Sequence, residues 1–295
     1  MADVKWQRYE QPPGTSGAFL RAILGRRPGL KGGATIQRVG GELAARPADP
    51  AHLRRYRELC GIVDDGFLPP AYPQVLAGAL HLHILTDRAF PLKPMGIVHV
   101  RNRLEERRRI APDEALYVTA WVEGHRDVAA GTEFDLHTKV EVDGERVWSS
   151  VITAISRSPS PKDRKPRSPP VAGEPQPVPH RALMLRVPED IGRRYGAVTG
   201  DFNPIHVHAS TARLFGFPRA IAHGMWSAAR CLAELQDDLP PCPREIDVAF
   251  KRPVALPSTV SFRAHRDADS LVFAMHSRDG STLHLQGRVT PLVKA

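Results

Sequence analysis

The sequence predicts an α+β protein built twice over, each half an apolar helix followed by four antiparallel strands that wrap around it. Three observations carry this. Tyr56–Gly61, "YRELCG", and Tyr195–Gly200, "YGAVTG", share their terminal Tyr and Gly at an offset of 139 positions. "FDLHTKVEVDG" from Phe134 and "FAMHSRDG" from Phe273 stand at that same offset, and each runs from Phe through His to an Asp-Gly turn. Finally, both halves carry one apolar helical stretch and then several strand-length runs, so an internal duplication accounts for the whole pattern.

In the first half, "YPQVLAGALHLHIL" is the helix candidate, near Val75 to Leu85. Strand-like runs follow at "GIVHVRN", "ALYVTAWVEG", "EFDLHTKVEV" and "ERVWSSVITAI", with a hairpin turn at Asp143-Gly144. Alternation within "VTAWVEG" suits a sheet with one face on the helix. From Ser158 to Pro179 the chain carries eight prolines and little that could fill a core, so it reads as a stiff connector. The expected organisation is an amino-terminal half at 1–157, a linker at 158–179 and a carboxyl-terminal half at 180–295.

The second half opens with Pro188, Glu189 and Asp190, residues suited to a helix start with acids in its first turn. That helix should end at Gly200, a glycine fit for a left-handed cap. Asp201-Phe202-Asn203-Pro204 then reads as a turn, because Asx side chains bond local backbone and Pro restricts φ. A short helix from Ala209 to Phe215 stops at Gly216. The second long helix lies in "AIAHGMWSAARCLAEL" and starts about Gly224. Strands follow at "EIDVAFKR", "TVSFRAH", "SLVFAMHS" and "TLHLQGRV", with a turn at Asp279-Gly280.

Bulk properties narrow the function. Hydrophobic residues at 42% and charged residues at 25% suit a globular protein. No apolar run approaches the roughly 18 residues of a membrane span, and Met1–Gln11 is too polar for a signal peptide. Cys60, Cys231 and Cys242 show no metal-ligand spacing, and so sparse a set fits a reducing, cytoplasmic compartment. Part of the net charge of +9 sits in "RSPSPKDRKPRSPP", Arg157–Pro170. Without interleaved aromatics this basic balance predicts neither nucleic-acid nor membrane binding, while an anionic small molecule suits it.

The duplication turns the first half into an internal control. Asp201 aligns with Ile62 and His206 with Phe67. Gly61 to Gly78 spans 17 positions, whereas Gly200 to Gly224 spans 24. The second copy therefore holds extra residues and ionisable groups where the first is apolar, which predicts one working site per chain. The amino terminus of the helix at Gly224 offers unpaired N–H groups and partial positive charge, suited to an oxyanion.

"YGAVTGDFNPIH", followed by "AHGM", closely resembles the MaoC-like, or (R)-specific enoyl-thioester hydratase, family. Its motif is Tyr, a short apolar spacer, Ser or Thr, then Gly-Asp-x-Asn-Pro-x-His, with Thr199 here in the hydroxyl place. The two-halved form resembles the double hot-dog subgroup, which includes 3-hydroxyacyl-thioester dehydratases. The likeness covers Leu53 to Val293 outside the linker and is strongest from Gly200 to Met225. It implies a double hot-dog fold, two antiparallel sheets each wrapped around a central helix. It also implies a hydro-lyase of fatty-acid metabolism that adds water reversibly across 2-enoyl thioesters to give (R)-3-hydroxyacyl thioesters.

By the matching motif positions the resemblance makes Asp201 and His206 the acid/base pair and the Gly224 N–H the oxyanion donor, with Asn203 and His223 in support. The first copy is then expected to accommodate the acyl chain. His208 departs from the acidic or small residue of many relatives. No cofactor and no metal are expected, because His206 and His208 would point apart in an extended segment. Lys251 and Arg252 in "FKRPV" are candidates to meet the phosphates of a carrier. That carrier, coenzyme A or acyl carrier protein, stays open, as does a monomeric or homodimeric state. Two other readings stand beside the hydratase: thioester hydrolysis on the same fold, and a non-enzymatic acyl-thioester binding module.

Overall fold

A computed structural model of the chain describes residues 5–30, 34–157 and 178–293. The proline-rich connector therefore lies outside the described residues, apart from Val178 and Pro179. An amino-terminal strand β1 (Lys5–Tyr9) and helix α1 (Ser16–Leu24) precede the first repeat. That repeat contains β2 (Val39–Arg46), α2 (Pro50–Cys60), α3 (Tyr72–Leu76), α4 (Gly78–Thr86), β3 (Ile97–Glu106), β4 (Leu116–Val128), β5 (Gly131–Val142) and β6 (Glu145–Arg157). The second contains β7 (Arg181–Val187), α5 (Ile191–Thr199), α6 (Pro204–Val207), α7 (Ala209–Arg213), α8 (Gly224–Glu234), β8 (Arg244–Phe250), β9 (Ser258–Asp267), β10 (Ser270–Ser277) and β11 (Leu283–Pro291). No helix among the described residues is long and apolar enough to cross a membrane.

Corresponding elements show why the 139-residue offset survives. Helices α2 and α5 both end on a left-handed glycine, Gly61 at φ 66° and Gly200 at φ 75°, a conformation that glycine adopts without a Cβ penalty. Tyr56 and Tyr195, the duplicated tyrosines inside these helices, are buried with ring centroids 6.5 Å apart, so the two copies meet on their own repeat marker. The long helix expected in the first half is broken at Ala77 into α3 and α4, and α4 begins at Gly78, matching α8 at Gly224. Helix α5 starts later than its acids: Asp190 occupies the cap position without a side-chain cap bond, and Glu189 precedes it.

The strands form one sheet in the order β1-β2-β4-β5-β6-β3-β8-β11-β10-β9-β7. Each repeat thus contributes five strands in the same relative order, β1 adds an outer strand beside β2, and the halves join edge to edge where β3 pairs antiparallel with β8, from Arg101↔Ala249 to Glu106↔Arg244. The join removes two exposed edges that would otherwise invite strand pairing between molecules. Period-two burial along β5 turns Phe134, Leu136 and Val140 toward the helices. One core cluster runs through both halves and includes Leu53, Tyr56, Tyr195, Trp226 and Ile246, while a second lies under α4 around Leu80, Ile84, Phe90 and Phe134.

Charge at the seam falls into two classes. Arg101–Asp247 and Arg103–Glu245 cross it on the exposed face, where solvent screening leaves little net stabilisation. Arg244 and Glu106 face each other at 2.6 Å with side chains only 4% and 3% exposed, and Arg244 also donates to the Pro240 carbonyl. Much of the arginine-rich "RNRLEERRRI" is likewise neutralised within the chain, by Arg107–Glu105, Arg108–Glu114 and Arg109–Asp65. Breaking the buried pair strands a charge in the core, so Glu106→Leu should destabilise the protein by about 3–5 kcal/mol. Adding Arg244→Met should restore most of that loss in urea denaturation, and an unaltered midpoint for the single variant would contradict the assigned role.

Candidate active site

Helix α5 is the floor on which the motif segment is built. Its glycines at 192 and 196 lie one turn apart on the same face. A methyl group at Gly192 would fall 1.9 Å from the His206 carbonyl oxygen, and one at Gly196 would fall 2.8 Å from the Asp201 carbonyl oxygen. The chain after Gly200 can fold back onto α5 only because neither residue has a side chain. At the 139-residue offset, α2 carries Leu53 and Arg57 instead. There Arg57 holds the corresponding loop at side-chain length, pairing with Asp64 and donating to the Phe67 carbonyl. Phe67, the counterpart of His206, lies partly exposed beneath the Arg109 guanidinium.

Local hydrogen bonds then shape the loop. Asp201 Oδ1 accepts from the Asn203 N–H at 3.1 Å, and Asn203 Oδ1 accepts from the Ile205 N–H at 3.4 Å, capping α6. Pro204 opens α6 at a position that needs no N–H. The segment holding His206 is therefore helical rather than extended, which corrects the geometry expected for the two histidines. His206 turns inward, while His208 lies between α6 and α7 and caps α7 by accepting from the Ser210 N–H at 3.3 Å.

Three chain segments converge on the inward side. His206 and His223 are 9% and 4% exposed, and their rings stack at 3.7 Å between centroids. Tyr195, the motif tyrosine, packs on the far side of His223 at 4.8 Å. His206 Nδ1 lies 2.8 Å from the Ile221 carbonyl, so it carries the hydrogen and leaves Nε2 with a lone pair. His223 Nε2 lies 3.0 Å from the Asp201 backbone carbonyl, which makes it a donor, and 3.7 Å from Asp201 Oδ2. Asp201, His206 and His223 bring one donor atom each within 4.8 Å of one another. That spacing could hold an ion or a water molecule, and His208 is not part of it.

The electrostatics follow from burial against contact. The Asp201 side chain keeps 52% of its surface accessible, yet desolvation is the largest single influence on its charge. The carboxylate is thus partly accessible while the imidazoles beside it are buried. Burial raises its pKa, but His223, His206, the Asn203 N–H and His99 together outweigh that, and the net direction is downward. Burial likewise drives His206 down, against the pull of Asp201, and pushes His223 down to about 3. A neutral imidazole lends Asp201 no charge, so these groups take up protons as one unit rather than as separate sites. Near neutral pH the arrangement is a carboxylate facing neutral imidazoles.

Gly224 stands at the head of α8. The first N–H of this helix to bond back is that of Ser227, to the His223 carbonyl, which leaves the Gly224 amide among the unpaired first-turn donors. A methyl at Gly224 would lie 3.0 Å from the Phe250 ring, so that ring covers the first turn. Lys251 and Arg252 follow Phe250 directly, but they are exposed and bond through their backbone N–H groups to the His284 carbonyl, outside the cluster. Gly192, Gly196 and Phe250 were not picked out by sequence reasoning. The Gly-x-x-x-Gly spacing before Asp201, set against Leu53 and Arg57 in the other copy, is the signal that identifies the first two. A separate cavity of about 260 Å³, lined by Ile62, Asp65, Arg109, Leu232, Gln236 and Cys242 among others, sits at the carboxyl end of α8.

A family model for the MaoC-like domain matches residues 164–287. A 3-hydroxyacyl-thioester dehydratase X from Mycobacterium tuberculosis is 34% identical over 249 residues, which cover 84% of this chain and 88% of that protein. The crystal structure of HtdX from the same organism aligns with a TM-score of 0.75 at 30% identity, covering 86% of this chain and all of that one. A MaoC-like dehydratase from Phytophthora capsici shares the fold, with a TM-score of 0.67 at 19% identity over 85% of this chain and 95% of the other.

Gly192→Ala should shift α6, lowering stability by about 1–3 kcal/mol and moving His206 enough to cost about 10²-fold in any turnover it supports. An unchanged rate would show that the close approach does not set the site. Depressed histidine pKa values also carry a stability consequence. His81, His99 and His223 are pushed to about 3, 4 and 3, each mainly by burial, from an ordinary value of 6.5. Their contribution is complete above about pH 6.5 and is lost as pH falls through the folded values. The Tm should stay level above about pH 6.5 and drop below it, and His81→Gln should flatten the drop. A Tm that holds to about pH 4 would rule this out.

Proposed function

This chain belongs to the MaoC-like dehydratase family, and we propose that Asp201 and His206 carry out its hydro-lyase reaction from a single site in the second half. The reaction is the reversible hydration of 2-enoyl thioesters to 3-hydroxyacyl thioesters. The observation that carries the assignment is the His206 ring, held by the Ile221 carbonyl so that a bare Nε2 faces the cluster containing Asp201.

A thioester carbonyl placed against the Gly224 N–H would gain charge as an enolate, at the positive end of α8. Water seated between Asp201 and His206 Nε2 lies within reach of C3. With Asp201 ionised and His206 neutral, neither group holds a proton to donate at the outset. The proton that reaches C2 in hydration is therefore the one taken from water. The water O–H breaks, the C3–O bond forms, and the enolate collapses as C2 accepts that proton. Dehydration runs the same path backwards: C2–H breaks first, and the departing hydroxide leaves with the proton. Because one pair of groups serves both carbons, addition occurs from one face of the double bond, which accounts for a product of a single hand at C3.

Asn203 orients Asp201 through its backbone N–H, and His223 supports both the Asp201 backbone and the His206 ring. We assign residues 180–295 as the working copy and residues 1–157 as the half that accommodates the acyl chain. We assign the exposed Lys251 and Arg252 to contact with the anionic carrier, and a cytoplasmic location suits such a substrate.

Asp201→Asn and His206→Ala should each lower kcat/KM by about 10²–10⁴ for a crotonyl thioester, followed by loss of enoyl absorbance. In the same assay, Lys251→Ala with Arg252→Ala should raise KM for a coenzyme A thioester and leave kcat unchanged. Full activity in both site variants would sink the assignment. Release of free thiol without a change in enoyl absorbance would identify hydrolysis instead.

A further inference from the structure

The first half brings an imidazole of its own close to Phe250 and the charge of Asp201. Ile97, Val98, His99 and Val100, which open β3, are all partly accessible, whereas β3 alternates between covered and uncovered residues from Arg101 onward. This accessible stretch directly precedes the residues of β3 that pair with β8. His99 lies 4.8 Å from Phe250 between ring centroids, at 59°. Phe250 in turn lies against Gly224 at the head of α8. His99 Nε2 is 3.0 Å from the Arg101 carbonyl, so that nitrogen carries the hydrogen and Nδ1 keeps a lone pair. Burial pushes the ring down to about 4, against the Arg101 carbonyl and the charge of Asp201. It is neutral at working pH and offers an acceptor.

Phe250 joins the head of α8 to His99, so a pantetheine arm that leaves a thioester carbonyl on the Gly224 N–H past Phe250 passes the imidazole. The first polar group on that arm, whether the carrier is coenzyme A or a carrier protein, is the N–H of the amide two carbons from sulfur. A neutral imidazole beside Phe250 is chemically matched to that donor. We propose that His99 is a substrate-binding residue of this site, contributed by the first half, whose Nδ1 accepts a hydrogen bond from the pantetheine amide N–H next to the thioester. The inference rests on the placement of the thioester at Gly224 described above. It also gives the first half a polar role in addition to housing the acyl chain.

The test uses the full chain and two probes that cannot react. Both are saturated ketone analogues with a methylene in place of sulfur, one retaining the N-acetyl-ethylamine arm of N-acetylcysteamine and the other ending in a plain alkyl group. Affinity is measured by calorimetry for wild type, His99→Phe and His99→Gln, together with Tm. Phe keeps an aromatic ring against Phe250 and deletes both nitrogens, while Gln can still donate to Arg101 and accept from the ligand. His99→Phe should weaken the amide-bearing probe about three- to tenfold, the magnitude of one hydrogen bond. It should leave the alkyl probe within about twofold, and His99→Gln should recover most of the loss. Equal affinity of wild type and His99→Phe for the amide-bearing probe overturns the proposal, as does an equal loss on both probes or an absence of binding by wild type. Those results are independent of the Asp201→Asn rate, so His99 can fail while the acid/base pair stands, or the reverse.

Discussion

The site depends on a backbone contact: the His206 carbonyl rests where the Cβ of residue 192 would be. Every later feature follows from that approach. Folding α6 down onto α5 turns His206 inward, sets its Nδ1 against Ile221 and brings it into a stack with His223. Asp201 is placed by the same fold-back, through the close passage of its own backbone over Gly196. The other copy shows the alternative. With Leu53 and Arg57 in those places, its loop stands off from α2 on an arginine side chain, and Phe67 rests under a guanidinium. Loss of the acid and histidine from that copy is thus accompanied by loss of the floor that would have held them.

Joining the half-sheets at β3 and β8 makes the second-half site a product of both halves. His52 of α2 lies 2.7 Å from the Val198 carbonyl at the end of α5 and 2.7 Å from the Tyr72 hydroxyl, so the first half ties down the helix that precedes Asp201. Trp226 and Arg230 of α8 return the arrangement by bonding the Leu59 and Cys60 carbonyls at the end of α2. Such reciprocal capping satisfies helix-end carbonyls that would otherwise be buried without partners. It also explains why the copy that lacks the acid and the histidine is retained as a folded structure: the copy that carries them leans on it.

Burial around an accessible carboxylate is what gives the cluster its chemistry. Burial that desolvates the imidazoles keeps them neutral, and a neutral imidazole with one nitrogen committed to a carbonyl has a single defined lone pair. The cluster presents acceptors on the Asp201 side, and the head of α8 presents unpaired N–H donors. That polarity matches a reaction in which a proton leaves one carbon region while negative charge gathers on a nearby oxygen.

Much of this was legible in the residues. The offset of 139, the turn glycines and the period-two runs predict the paired halves, and the motif resemblance from Gly200 to His206 points to the segment that supplies Asp201 and His206 to the cluster. Strand β2, "VGGELAAR", escaped because its glycines and alanines give no alternation, and β7 because it is short and follows the proline-rich connector. By itself the sequence determined which copy carries ionisable groups and which chain positions they occupy, since these are local matters of motif and turn chemistry. Only the tertiary structure decided that α6 is helical, that His208 turns away while His223 stacks on His206, and that His99 and Phe250 from facing strands meet beside Gly224. Those outcomes depend on packing between segments far apart in the chain, where close approach and desolvation arise from neighbours that no local window contains.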